Sequence, residues 1–221
     1  MLVTFTNRIG GVSHGVYGSL NLGGHVGDVP EDVLANRAAL ARQYGPVQFM
    51  NQVHGSRIMI VESVTDDEPT ADALVTGIPG VTLAVMVADC IPLLLTSPES
   101  VAAVHVGRRG LVNEIAIKTI ELMREMGAND ISATIGPAIC GSCYEVSQEI
   151  FNEVVTQFPR AASKTSFGTP ALDLPQALIA ALESAGVSKV SNQGICTAES
   201  SELFSYRRDG LTGRQAGLVS L

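Results

Sequence analysis

Residues 81–110, VTLAVMVADCIPLLLTSPESVAAVHVGRRG, decide how this chain folds. They contain two apolar runs, Val81–Val87 and Val101–Val106, in which apolar residues follow one another without alternating with polar ones. Val-rich runs of this length, bounded by turn-forming residues, are typical of strands that are buried on both faces. We therefore predict two central strands in this stretch.

Polar side chains lie at the ends of these runs. Asp89 and Cys90 follow the first run, and His105 lies near the end of the second. A third candidate ligand, His54, lies far upstream in the stretch Asn51–Gly55, so only the tertiary fold can bring these side chains together. One Cys and two His suffice for a tetrahedral zinc site whose fourth position is left for water or substrate. Each of the three residues is also compatible with ordinary packing in the core.

The basic turn Gly107–Gly110 separates His105 from a helical pattern that extends over Leu111–Met126. A helix N-terminus offers free backbone N–H groups, so this turn predicts an anion site in which Arg109 acts as a clamp. The turn is equally compatible with a simple connection between a strand and a helix. Asp89 either orients a histidine ligand or transfers a proton, unless it only caps a turn.

Seven short motifs follow one another along the chain in the order NQVHG, ADALVT, ADCIPLLL, AAVHVGRRG, IGPAIC, CYEV and FSYRRDG. With them the sequence resembles the YfiH family, whose members are also called laccase-domain or polyphenol oxidase proteins, from Asn7 to Leu221. The resemblance implies an α+β, YfiH-like fold with mixed β-sheets and flanking helices in two closely joined subdomains. It also implies that His54, Cys90 and His105 bind one zinc ion. Arg108 departs from the family pattern, which usually has Trp there, and this affects the packing or the substrate contacts of the turn.

The resemblance further implies a zinc-dependent purine nucleoside phosphorylase that cleaves adenosine, inosine and S-methyl-5'-thioadenosine with phosphate and also deaminates adenosine. The expected catalytic residues are His54, Cys90, His105 and Asp89. The substrate-binding residues are expected to be Arg109 and Arg8, the latter in the glycine-rich segment 6–28.

Other functions remain open at the level of the sequence. Copper can replace zinc at such ligands, which would give a polyphenol oxidoreductase with a single copper ion. The four histidines are too few for the mononuclear and trinuclear copper sites of a multicopper oxidase. A metal-free cysteine hydrolase would use Cys90 as nucleophile and His105 or His54 as base. A non-enzymatic metal-binding module is the last alternative.

Composition limits the partners of the protein. Hydrophobic residues make up 46% of the chain and charged residues 16%, which predicts a packed chain rather than a disordered one. The net charge of −8 argues against nucleic acid as a partner. The local pairs Arg108/Arg109 and Arg207/Arg208 are instead candidate pockets for small anions. We expect purine nucleosides and phosphate as ligands, no membrane partner, a cytoplasmic location without a signal peptide, and one domain over residues 1–221.

The remaining pattern predicts the helices Pro30–Tyr44, Glu149–Phe158 and Pro175–Ala185, and the strands Val47–Met50, Arg57–Glu62, Ile131–Gly136, Ser188–Gln193 and Ala216–Leu221. The pair Cys140 and Cys143 has the C-x-x-C spacing of zinc or redox motifs. A structural zinc would need two more ligands, and Cys196 is the only other cysteine outside the first site. A redox motif should begin a helix, and residues 145–158 are compatible with one. The resemblance implies that the family does not require both cysteines, so we interpret the pair as a mostly inert part of a pocket wall.

Overall fold

The computed structural model describes all residues of the chain, Met1–Leu221. The strands are β1 (Leu2–Phe5), β2 (Val47–Gln48), β3 (Ile58–Ile60), β4 (Ala73–Thr76), β5 (Thr82–Val87), β6 (Ile91–Thr96), β7 (Val101–Val106), β8 (Ser132–Ile135), β9 (Ala162–Lys164), β10 (Pro170–Leu172), β11 (Lys189–Asn192) and β12 (Gln215–Ser220). The helices are α1 (Pro30–Tyr44), α2 (Arg108–Val112), α3 (Ile115–Glu125), α4 (Gln148–Gln157), α5 (Leu174–Ser184) and α6 (Tyr206–Asp209). None of these helices combines the length and the apolar character that a membrane span requires.

Two mixed sheets form the centre of the molecule. The larger one has the strand order β11-β8-β6-β7-β4-β3, and the smaller one has the order β1-β12-β5-β2. Each sheet contains parallel and antiparallel pairs, for example β8 parallel to β11 but antiparallel to β6. A separate hairpin pairs β9 with β10. The predicted α+β class with mixed sheets and flanking helices is confirmed.

The side chains of β6 show how the layers are stacked. Leu93 and Leu95 pack into the largest hydrophobic cluster, together with Ile120 of α3 and Leu178 of α5. Leu94 points the other way, into a cluster shared with β5 and β12 of the smaller sheet. The far face of the smaller sheet is covered in turn by α1. The layers therefore follow the order helices, large sheet, small sheet, helix.

This stacking explains the continuous apolar runs. Every residue of β5 and of β7 is buried, because each strand lies in a sheet that is covered on both faces. The predicted burial on both faces is confirmed, although the neighbours of β5 and β7 include antiparallel strands. Sheet-on-sheet packing produces the same sequence pattern as an α/β parallel sheet.

Two local predictions differ from the structure. The helical pattern Leu111–Met126 is divided into α2 and α3, because Glu114 adopts a left-handed conformation with φ 57°. The strand β6 was not predicted, since Pro92 lies inside it and proline cannot donate to a strand ladder. The Pro92 carbonyl accepts from the Gly136 N–H at 3.1 Å, and the His105 N–H, opposite Pro92 in the register, donates to Asp72 O at 2.8 Å. The proline therefore contributes an acceptor but no donor to the ladder.

The connection Ala88–Cys90 crosses from one sheet to the other. It follows β5 of the small sheet and precedes β6 of the large sheet. His105 lies near the end of β7, beside the start of β6. The polar residues of the central stretch therefore meet at the edge where the two sheets are joined.

Candidate metal centre

His54, Cys90 and His105 come together at this edge. Their ligand atoms all lie within 4.8 Å of one another. Cys90 Sγ is 3.8 Å from His54 Nε2, close to the sulfur–nitrogen separation of about 3.5 Å expected around a tetrahedral zinc ion. The two imidazole rings meet edge to face, with centroids 4.7 Å apart. This arrangement can hold one metal ion.

Asp72 links two of these ligand residues, His54 and His105, through hydrogen bonds. Its carboxylate is fully buried and lies 2.8 Å from His105 Nδ1. It also accepts hydrogen bonds from the backbone N–H groups of His54 (2.9 Å) and Gly55 (2.7 Å). Because Nδ1 of His105 is engaged with Asp72, Nε2 is left as the ligand atom. Burial alone would raise the pKa of Asp72, but His105 and the N–H groups of Gly55 and Val53 lower it.

The backbone makes room for an ion. Two site residues have left-handed conformations that are uncommon for residues other than glycine, His54 with φ 58° and Asp89 with φ 103°. Gly107 closes the other side, where an added Cβ would lie 2.9 Å from Cys90 Sγ and 3.2 Å from His54 Cδ2. Only glycine leaves the sulfur free space at this position. The donor set and this space both fit a bound metal ion.

The thiol and the imidazole favour each other's charged forms. Burial alone would raise the pKa of Cys90, but the charge of His105 and hydrogen bonds from both histidines lower it to about 6. Burial alone would lower the pKa of His105, but Cys90 and Asp72 raise it to about 9. Without a metal, the pair therefore exists as thiolate and imidazolium near neutral pH. A thiolate is the form of cysteine that binds metals.

The three candidate ligands help to line a cavity of about 440 Å³. This volume lies within the range of about 300–1,000 Å³ typical of small-molecule sites. The lining residues are His25, Gln52, His54, Met86, Val87, Ala88, Asp89, Cys90, His105, Ile139, Tyr144, Tyr206, Arg207 and Arg214. The cavity thus combines two arginines, two tyrosines and apolar side chains.

The two arginines are held in place by backbone carbonyl groups. Arg207 donates to Glu145 O at 2.9 Å and lies over the ring of Tyr144, 5.2 Å from its centroid. Arg214 donates to the carbonyl groups of Thr212 and Gly213. Burial lowers the pKa of Arg214, which remains a cation at neutral pH. In a protein with net charge −8, these cations provide a local attraction for an anion.

Asp89 lines the cavity, but its carboxylate contacts neither histidine ligand. It accepts hydrogen bonds from Thr197 Oγ1 and from the Arg207 N–H, each at 2.6 Å. The carboxylate that hydrogen-bonds to a histidine ligand is that of Asp72 instead. Asp89 therefore fixes the backbone of Arg207 and the segment that contains Thr197.

The structure does not bring Arg109 or Arg8 to the cavity. Arg109 is exposed, and the helix that it helps to begin, α2, has only five residues. Arg108 of the same turn approaches Glu153 at 3.9 Å. Arg8 donates to Gly18 O at 2.8 Å and lies over the ring of Phe204, 4.8 Å from its centroid. The cations that line the cavity are Arg207 and Arg214.

Sequence reasoning missed Asp72 and Arg214. A signal existed for Asp72, because it interrupts the apolar stretch ADALV just before a strand. No local signal identified Arg214, which reaches the cavity from the loop before β12. Arg207 belongs to one of the two arginine pairs that the sequence marked as candidate anion pockets.

Comparison with known proteins gives a family for the whole chain. A family model described as multi-copper polyphenol oxidoreductase laccase matches residues 2–221. A purine nucleoside phosphorylase of Streptomyces coelicolor is 47% identical over 227 residues, covering 98% of this chain and 94% of its own length. A purine nucleoside phosphorylase of Corynebacterium glutamicum is 42% identical over 228 residues, covering 98% of this chain and 93% of its own.

Solved structures agree with this result. Protein NMB0706 of Neisseria meningitidis superposes with a TM-score of 0.91 at 39% identity, covering 99% of this chain and 93% of that one. The hypothetical protein YfiH of Bacillus licheniformis superposes with a TM-score of 0.89 at 31% identity, covering 99% of this chain and 92% of that one. The predicted resemblance to the YfiH family is confirmed.

Proposed function

The chain belongs to the family described as multi-copper polyphenol oxidoreductase laccase, and from this premise we propose that it is a metal-dependent purine nucleoside phosphorylase. The substrates would be adenosine, inosine and S-methyl-5'-thioadenosine, which phosphate would convert to the free base and the sugar 1-phosphate. The names of the relatives in Streptomyces and Corynebacterium support this reaction. The observation that carries the proposal is a cavity that joins a His/Cys/His metal centre to two arginines.

Phosphate would bind between Arg207 and Arg214. Guanidinium groups bind phosphate oxygens through several N–H donors at once, and the half-buried position of Arg214 strengthens this attraction. A phosphate oxygen would then attack C1′ of the ribose while the bond from C1′ to the base breaks. The electron pair of that bond goes to the departing base. The arginines would hold the phosphate in line for this attack.

The purine base would lie against the aromatic and apolar wall formed by Ile139, Tyr144 and Tyr206. Flat bases bind well to such surfaces, because aromatic side chains offer large contact areas. His25 lies on the same cavity, and its partial burial and the charge of Arg214 lower its imidazole pKa. A neutral His25 can hydrogen-bond a purine nitrogen without adding a charge.

We assign zinc to His54, Cys90 and His105, where it would supply Lewis acidity and activate water at neutral pH. Adenosine deamination requires water to add at C6 of the purine and ammonia to leave, and activated water would serve this second reaction. Asp72 would keep His105 in the ligand tautomer throughout. Asp89 lines the cavity, where its carboxylate would accept or return a proton.

The test is an assay of purified protein with inosine or adenosine, with and without phosphate. We expect hypoxanthine or adenine together with ribose 1-phosphate only when phosphate is present, and inosine and ammonia from adenosine in either case. His54→Ala should lose both activities, whereas His14→Ala, an exposed histidine outside the cavity, should retain them. Failure to form base, ribose 1-phosphate or inosine in metal-loaded protein would refute the proposal.

A copper-loaded polyphenol oxidoreductase is the second candidate, supported by the description of the family and by ligands that copper also accepts. The metal content of protein purified without added metal separates the two candidates. Stoichiometric zinc with no phenol oxidation supports the nucleoside enzyme. Stoichiometric copper with phenol oxidation and no nucleoside cleavage supports the oxidoreductase. A metal-free cysteine hydrolase would remain active after chelation and lose activity after alkylation of Cys90.

A further inference from the structure

A second group of metal-binding side chains comes together beyond the ends of β8 and β11. These two strands are parallel neighbours with Ile135 opposite Asn192, so the segments that follow them leave the same edge of the sheet. The segments remain side by side, since the Thr197 N–H donates to Ala138 O and the Ala138 N–H donates to Ile195 O, each at 3.2 Å. The sheet thus brings residues 138–143 into contact with residues 195–199.

Each segment contributes two potential ligands that are separated by two residues. The first contributes Cys140 and Cys143, and the second contributes Cys196 and Glu199. The four ligand atoms all lie within 4.8 Å of one another. Glu199 is exposed, yet its Oε1 lies 3.4 Å from Cys143 Sγ and 3.9 Å from Cys140 Sγ. The carboxylate therefore faces the sulfur atoms rather than solvent alone.

The backbone supports sulfur atoms that carry negative charge. The Cys140 N–H donates to Cys196 Sγ at 3.4 Å, and the Ser142 hydroxyl lies 3.1 Å from Cys140 Sγ. The residues Cys140–Tyr144 form a tight turn, in which two successive N–H groups donate to Cys140 O at 3.1 Å. A turn between two cysteines with backbone donors around the sulfur atoms is typical of structural zinc sites.

All four cysteines of the chain are free thiols, so no disulfide consumes these ligands. Three thiolates and a carboxylate this close together would repel one another strongly in the absence of a cation. A divalent cation between the four atoms would attract each of them and so offset their mutual repulsion.

We propose that Cys140, Cys143, Cys196 and Glu199 form a second metal site, separate from the His/Cys/His centre, which binds a thiolate-preferring divalent cation such as zinc. Four protein ligands close the coordination shell, so this site is structural. The sequence alone lacked a fourth ligand for the C-x-x-C pair, and Glu199 supplies it. The site is independent of the proposed nucleoside chemistry.

The bound ion would stiffen one wall of the cavity. The first segment carries Ile139 and Tyr144, which line the cavity. Along the chain, Ile139 directly precedes Cys140 and Tyr144 directly follows Cys143. The second segment carries Thr197, whose hydroxyl donates to Asp89 at 2.6 Å. The Ile139 N–H also donates to Asp89 O at 2.9 Å. Linking the two segments through one ion would therefore fix this wall of the cavity, which is tied to Asp89 next to Cys90.

Metal analysis tests the proposal directly. Protein saturated with zinc and freed of excess ion should contain about two zinc ions per chain, since each site is complete. His54→Ala/Cys90→Ser should retain one ion and Cys140→Ser/Cys143→Ser should retain the other. Two ions in the wild type but one in each double variant support the second site. One ion in the wild type that is lost only with His54 and Cys90 would overturn it.

A measurement on the wild type alone guards against variants that fail to fold. In metal-free, reduced protein, a thiol-reactive dye should modify all four cysteines upon denaturation. When the folded protein is saturated with zinc, the proposal expects protection of Cys140, Cys143 and Cys196 as well as Cys90, as measured by peptide mapping. Protection of Cys90 alone would overturn the proposal. So would a disulfide among the other three cysteines in freshly purified protein, found as a mass deficit of about two hydrogen atoms.

Discussion

Asp72 is the residue on which the geometry of the first metal centre depends most. Its single carboxylate contacts His105 and the backbone of the loop that carries His54, so it aligns two ligands at once. Cys90, the third ligand, is placed independently by the connection between β5 and β6. A metal ion bound at these ligands would therefore depend for its position on a side chain that does not coordinate it.

Replacing Asp72 with Asn tests this dependence. We expect Asp72→Asn to weaken zinc binding at the first site about 10–100-fold, because the uncharged amide holds His105 less firmly in the ligand tautomer. Competition with a chromophoric chelator measures the affinity. Asp66→Asn, in an exposed acidic loop, is the matched control and should bind zinc like the wild type. Equal zinc affinity in both variants would contradict the positioning role of Asp72.

The ionisation of Cys90 gives a second prediction at this scale. With a pKa of about 6, the thiol should be mostly ionised at neutral pH in the metal-free protein, whereas an ordinary cysteine has a pKa of about 8.5. The rate of alkylation at Cys90 should therefore rise as the pH passes through about 6 and then level off. Peptide mapping after short exposure to iodoacetamide measures this rate. Cys143, with its raised pKa, should remain unreactive over the same range.

Bound zinc should suppress the alkylation of Cys90, because the metal occupies the sulfur lone pair. A reactivity profile for Cys90 with its midpoint near that of an ordinary cysteine would contradict the thiolate–imidazolium pair.

At the scale of elements, the break between α2 and α3 determines how the chain leaves the metal centre. The short helix α2 begins at Arg108, directly after Gly107 beside the sulfur atom, and α3 then packs Ile115 and Ile120 against the large sheet. Glu114 makes the turn between them in a left-handed conformation. A continuous helix over residues 108–125 would point the apolar side chains of α3 in another direction. The break therefore helps to keep α3 packed on the large sheet, which contains His105.

The strain at this break is measurable. Glu114→Gly should raise the free energy of unfolding by about 1 kcal/mol, because glycine adopts a positive φ without steric cost. Glu121→Gly, at an exposed position inside α3, should lower it by about 1 kcal/mol. Urea denaturation of both variants measures the two effects. Changes of the same sign in both variants would show that Glu114 is not strained.

At the scale of the whole molecule, the two sheets share one buried layer. Leu94 lies fully buried between them, in contact with the cluster formed by β5, β7 and β12. Because the metal centre lies where the sheets are joined, any separation of the sheets would also separate its ligands. The first site is therefore a property of the sandwich rather than of one sheet.

Leu94→Ala should cost about 2–5 kcal/mol of unfolding free energy, the range for truncating a buried leucine. Leu34→Ala, on the exposed face of α1, should change it by less than about 0.5 kcal/mol.

The expectation of one domain over residues 1–221 stays a prediction, and the same denaturation curves test it. Coincident transitions by circular dichroism and tyrosine fluorescence support one domain, and two separate transitions would contradict it.

The sequence by itself determined the family, two of the central buried strands and the helix Pro30–Tyr44, and it predicted a candidate ligand set of His54, Cys90 and His105. These follow from local patterns, because runs of apolar residues, helix ends and ordered motifs are written in neighbouring residues. The burial pattern of β5 and β7 could be predicted for the same reason.

Only the tertiary structure decided which cations line the cavity and which carboxylates support the two sites. Arg214 and Asp72 lie far from Cys90 along the chain, and Glu199 meets Cys140 only because β8 and β11 are parallel neighbours. Arg109 was favoured by its proximity to His105 in sequence, yet its side chain is exposed outside the cavity. A side chain's direction depends on how the strands and helices pack in space, and no local pattern encodes that direction.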